Sequence, residues 1–295
     1  MKNIAHVRTT IFLVGIALIC MVSCSTQKHS SAKYTRPTFK QIIADLDSIC
    51  NEGYNLFVAE RINWVSTDSA LSRYNVEDFG GNIIWQPTDS TWEAVFYDTK
   101  QENCIFEMHY NTHNQETNFS YKPRPITDSE KAQVKLKYTM LENTIKLYGD
   151  SLRYNGNYGQ ANMDFVRIDR NTVRLYILQG IEIPDIIPFG NDYSIDFDNE
   201  GNIKAFRRYH HSFLAIPTKD EKGDNVSTVY HSHLKDNPYI TPTDICSFLL
   251  YRGEMKQTMV LSTALDGVII YNAESNSAAF LTKEAMERIN NDNKE

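Results

Sequence analysis

The stretch Tyr230–Tyr251, YHSHLKDNPYITPTDICSFLLY, changes its periodicity across one turn. On its amino side "VSTVYHSHL" alternates as a strand does, which sends His231 and His233 to the same face. On its carboxyl side Thr241-Pro242-Thr243-Asp244 opens the apolar run "ICSFLLY" with the marks of a helix start. Thr241 is a good N-cap, Pro242 suits the first helical position, and Asp244 meets the positive end of the helix dipole. Strand, turn and helix follow one another here without the regular βαβ alternation of a parallel sheet.

The runs on either side of this stretch are mostly strands. Upstream lie "MDFVRID", "TVRLYIL", "YSIDFD" and "IKAFRRYHHSFLAI", separated by turns at "RN" and "NEGN"; downstream lie "TMVLST" and "GVIIYN", then a short charged helix from Thr282. Nearer the amino terminus, Phe39, Ile42, Ile43, Leu46, Ile49 and Cys50 recur at helical spacing behind Thr38, a helix that Gly53 is expected to loosen or end. "NIIW", "TWEAVFYD", "CIFEMHY" and "ETNFSY" read as an antiparallel meander. Thr127 and Glu130 stand in capping-box register before a helix that stops at Gly149. Its buried side includes Leu136, Met140 and Leu147, and Lys131, Lys135 and Lys137 are assigned to its solvated side. The class is therefore α+β, antiparallel sheets with a few packed helices. The Gly/Asn-rich loop "SLRYNGNYGQAN" divides an N-terminal region, residues 38–150, from a C-terminal region, residues 151–295.

His231 and His233 on one strand face can share a metal ion, and Asp244 eleven residues on can supply a third ligand with a fourth position open for water. Capping explains Thr241 and Asp244 equally well, so the two readings stand side by side. A hairpin turning near Lys222 would set His211 opposite His233 and make it a further candidate ligand. The spacing resembles the JAMM (JAB/MPN) metallopeptidase motif, in which His-Ser/Thr-His is followed after seven residues by Ser, two residues and Asp. By that resemblance His231, His233 and Asp244 would hold zinc and Thr241 would stabilise the oxyanion. A general base is also implied, for which Glu182 in "QGIEIPD" is the first candidate and Glu200 the second. Leu234 stands where the motif commonly has proline, and Thr241 where it has serine. The phrase from Pro188 through "HSH" and "TPTDI" also resembles a widespread group of uncharacterised bacterial proteins.

At the amino terminus Lys2 and Arg8 precede the apolar run Ile11–Val22, too short to span a bilayer and suited to a secretion signal over residues 1–23. "MVSC" resembles the lipobox of bacterial lipoproteins. That resemblance makes Cys24 an acylated first residue, with the lipid bilayer as partner and the cell envelope, by expectation the outer membrane, as location. Residues 24–37 read as a flexible tether. Loss of residues 1–23 moves the net charge from −7 to −9, and no basic stripe offers itself to nucleic acid. Beyond Cys24 three cysteines remain, Cys50, Cys104 and Cys246, without a Cys-x-x-Cys; three buried free thiols are expected in preference to one bridge and a free thiol. Two functions follow as expectations: an envelope lipoprotein serving as an interaction or structural module, with an unidentified protein partner and the capacity to bind a metal, or a JAMM-like zinc hydrolase of peptide or isopeptide bonds.

Overall fold

The computed structural model describes residues 36–292. The signal run, Cys24 and nearly all of the tether lie outside the described residues. Helix α1 (Phe39–Leu71) starts at a Thr38–Gln41 capping box and continues for 33 residues, well past Gly53. Gly53 does not end the helix because its task is contact: a Cβ there would lie 2.7 Å from Ile245 Cβ and 3.1 Å from the Pro242 carbonyl.

The meander is present as β1 (Phe79–Thr88), β2 (Thr91–Asp98), β3 (Asn103–Asn111) and β4 (Glu116–Ser120), antiparallel throughout, with the short β5 (Arg124–Pro125) also on β3. Helix α2 (Asp128–Tyr148) begins at the Thr127–Glu130 box; Arg124 joins Glu130 and Glu107 beside it. Two expectations for α2 fail. Leu147 is exposed, since the helix docks through Val134, Met140 and Thr144, and Lys137 turns inward to the Asn82 carbonyl at 2.7 Å.

There follow β6 (Ala161–Asp169), β7 (Thr172–Gln179), β8 (Ile186–Phe189), β9 (Tyr193–Phe197), β10 (Ile203–Arg208), β11 (Leu214–Pro217) and β12 (Thr228–His233). Then come α3 (Pro242–Tyr251), β13 (Gln257–Ser262), β14 (Gly267–Asn272), β15 (Ser277–Thr282) and α4 (Lys283–Asp292). The sheet orders are β10-β9-β7-β6, β11-β8 and β12-β13-β14-β15. The fold is α+β, as its sequence indicates. Among the described residues one strand pair is parallel: α3 carries the chain from β12 to β13, the crossover that a parallel pair requires.

The expected hairpin ahead of β12 is a correction. The chain does turn near Lys222, where Lys219 bridges to Asn225, but the ladder goes no further. β11 pairs with β8 instead, a four-residue apolar strand too short and Pro-containing to be read from sequence, and β12 is left to β13.

Core packing brings α1 against both halves of the chain. Its Leu56 and Ile62 share one cluster with Phe96, Phe106, Tyr176 and Cys246, while Ile42 and Leu46 join Ile245, Phe248, Val260 and Ile269 in another. Cys50, Cys104 and Cys246 are free, buried thiols.

Candidate metal centre

Three elements meet at one buried point. β12 presents His231 and His233 on its inner face, the first turn of α3 presents Asp244, and the segment leaving β10 presents His210; these residues are 5, 3, 1 and 8% exposed. Their donor atoms all lie within 4.8 Å of one another. His233 Nε2 stands 2.9 Å from His210 Nε2 and 2.9 Å from His231 Nε2. Asp244 Oδ1 is 3.3 Å from each of His210 and His231 Nε2, and its Oδ2 is 3.4 Å from His233 Nε2. A tetrahedral ion bound at about 2.0–2.1 Å sets its ligand atoms about 3.3–3.4 Å apart. Five of the six separations in the cluster, from 2.9 to 3.4 Å, approach that spacing.

What lies behind the ligands orients them. Both Asp192 oxygens lie 2.9 Å from His210 Nδ1, and the Tyr239 carbonyl accepts from His233 Nδ1. Those acceptors assign the Nδ1–H tautomer to both rings and turn their Nε2 lone pairs toward the shared point. Asp192 is itself held by the Thr243 hydroxyl, and its carbonyl accepts from Tyr209 N–H, one residue before His210. His231 stacks on Phe189 at 4.5 Å between centroids, and its Nδ1 has no hydrogen-bond partner.

The turn that delivers Asp192 explains Gly190. It adopts φ +90°, and a Cβ there would fall 2.0 Å from the Ser212 carbonyl, in the segment that carries His210. Only glycine allows that close approach.

The electrostatics favour one positive charge at the centre, which a proton on His210 Nε2 or a bound cation in its place supplies. Burial raises the Asp244 carboxyl, yet His210, His231 and His233 outweigh it and hold Asp244 well below the ordinary carboxylate range. Burial opposes charge on His210, but Asp192 and Asp244 prevail and push it up to about 9. Burial takes His233 down to about 4 against the pull of Asp244. Asp244 Oδ1 receives no aligned hydrogen bond from either imidazole near it.

Cap and cluster use the same carboxylate. Asp244 Oδ2 accepts from Thr241 N–H at 2.8 Å, and Thr241 Oγ1 accepts from Asp244 N–H at 3.1 Å. Of the residues anticipated from sequence, His231, His233 and Asp244 come together. Thr241 adjoins them, with its hydroxyl engaged in the cap and against Thr243. His211 is a correction: it is exposed and faces Asp236 at 3.4 Å, while its neighbour His210 takes the inward place. Glu182 is exposed on the loop after β7, on the lip of a groove of about 850 Å³, and Glu200 is exposed in the β9–β10 turn; neither belongs to the cluster. Asp192 carried no sequence signal beyond its place in "PFGND". The paired "HH" was the only hint of His210.

Compared with protein-family models, with curated proteins and with solved structures, the chain finds no match.

Proposed function

We propose that this chain is a membrane-tethered lipoprotein of the bacterial envelope, an interaction module whose folded part is braced by a structural zinc ion on His210, His231, His233 and Asp244. The observation that carries the metal is the convergence of three imidazole nitrogens and one carboxylate in a dry site, two of the rings fixed from behind with lone pairs inward. Such a cluster is costly without a cation at its centre. Three imidazoles and a carboxylate gathered this closely suit zinc. With four protein donors the shell is complete, which is the pattern of a structural rather than a catalytic ion. Hydrolysis by the JAMM scheme has less support, because Glu182 and Glu200 stand at the surface and Thr241 is committed to the cap. Cys24 behind a short apolar run supports the tether, and the absence of a basic stripe supports a partner other than nucleic acid.

The test is metal content. The full chain, purified in detergent without a histidine tag, should carry about one zinc per chain by mass spectrometry. Chelation should lower its melting temperature and zinc should restore it. His231→Ala and Asp244→Ala should each abolish that response. A wild type that stays metal-free after zinc loading, with melting indifferent to zinc, overturns the reading.

A further inference from the structure

β1 and β6 are facing edges of two separate sheets, and between them, closed by α1 and α2, lies a second polar interior. It is a cavity of about 190 Å³. At roughly 10–15 Å³ per water-sized group, it holds on the order of a dozen non-hydrogen atoms.

The polar wall is already tied in place. Asn63 Nδ2 donates to Asp164 Oδ1 at 3.4 Å, Asn82 Nδ2 donates to Asn63 Oδ1 at 3.2 Å, and Lys137 Nζ donates to Asn82 O and Oδ1 at 2.7 and 3.1 Å. The indoles of Trp85 and Trp92 also line the space. Trp92 is fully buried, yet its Nε1 has no hydrogen-bond partner, and an unanswered buried N–H is costly. Glu60 Oε2 and Asp164 Oδ2 lack partners too. Burial and the Asp164 carboxylate both raise Glu60, so a proton kept on Glu60 answers for that pair. Burial likewise raises Asp164 against the pull of Lys137, and it lowers Lys137 to about 8, so each member of the group is biased toward its neutral form.

A ligand for this space is therefore small and uncharged. It has to bring an acceptor to the Trp92 N–H and to lay apolar surface on the indoles, and it can add donors to the Asp164 and Asn63 oxygens. A hydroxyl is both donor and acceptor, and a saturated ring bearing hydroxyls has C–H faces that suit an indole. We propose that the cavity between β1 and β6 binds a single neutral sugar ring, held by Trp92, Asp164, Asn63 and Lys137. This site is separate from the metal centre and does not depend on it.

The test is calorimetric titration of the purified full chain with glucose, galactose, mannose and N-acetylglucosamine, beside glycine, lysine and glutamate as charged probes. Saturable binding of at least one sugar is expected. Trp92→Phe, which keeps a ring and loses the N–H, and Asp164→Asn should each weaken it about tenfold or more, as loss of one buried hydrogen bond does. No saturable binding by any sugar overturns the proposal, as does binding of the charged probes alone or affinity unchanged in both variants. Should the variants fail to melt cooperatively, a crystal of the wild type soaked in the sugars decides: a sugar in the cavity supports the proposal, and ordered water only overturns it.

Discussion

His210 and His211 carry the same imidazole one position apart, and their fates are opposite. Successive side chains of an extended backbone point to opposite sides. Asn237 pins this stretch through the carbonyls of Arg208 and Tyr209, so His210 is the one that meets Asp192 and the cluster. His210→Gln should therefore remove the zinc-dependent rise in melting temperature, and His211→Gln should leave it intact. Asp192→Asn, which keeps the shape but weakens the hold on His210 Nδ1, should lower zinc affinity about 10–100-fold. Differential scanning calorimetry with buffered zinc measures all three. An equal response from the His210 and His211 variants would contradict the assignment.

The long helix α1 shows how an element is decided by its neighbour. In isolation, Gly to Ala inside a helix gains about 0.5–1 kcal/mol. At Gly53 the new methyl would sit 2.7 Å from Ile245 Cβ and 2.8 Å from its Cγ2, atoms of a stiff β-branched side chain in a fully buried helix–helix contact. Overpacking of that kind costs about 1–3 kcal/mol and outweighs the helix gain. Gly53→Ala should thus lower the urea midpoint by an amount equal to about 1–2 kcal/mol. A midpoint equal to or above the wild type would show that α1 and α3 are not held at this spacing.

Across the whole molecule, the buried carboxyl pair links stability to pH. Glu60 on α1 faces Asp164 on β6, with Lys137 of α2 near Asp164 and the Cys246 thiol of α3 beside both carboxyls. Burial first, and Asp164 second, raise Glu60 above its unfolded value of about 4.3. The folded chain then holds a proton that the unfolded chain has released. The associated stability is full below about pH 4.3 and is lost as pH rises through the raised value. Glu60→Gln keeps the carbonyl that accepts from Asn162 and removes the titration. Its stability relative to wild type should climb between pH 5 and pH 8, by up to about 1.4 kcal/mol per pH unit. Urea midpoints at the two pH values check this, and parallel profiles for the two proteins would refute the shared proton.

Local chemistry set the caps at Thr38, Thr127 and Thr241, the antiparallel meander and the one-face pairing of His231 with His233. Each depends on residues a few positions apart, where propensity and periodicity act. It offered Asp244 either as a cap or as a third ligand, and the structure shows that one carboxylate meets both. Tertiary structure decided the rest. Gly53 reads as a helix breaker until α3 is known to press on it, and Lys137 reads as solvated until an inward cavity is known to await it. The choice of His210 over His211 depended on Asn237 holding the carbonyls of Arg208 and Tyr209 and on β11 pairing with β8, contacts between residues 25 to 31 positions apart in sequence. Long-range pairing of that sort is set by which apolar surfaces are left to bury once the neighbouring strands have formed, and no local pattern carries that information.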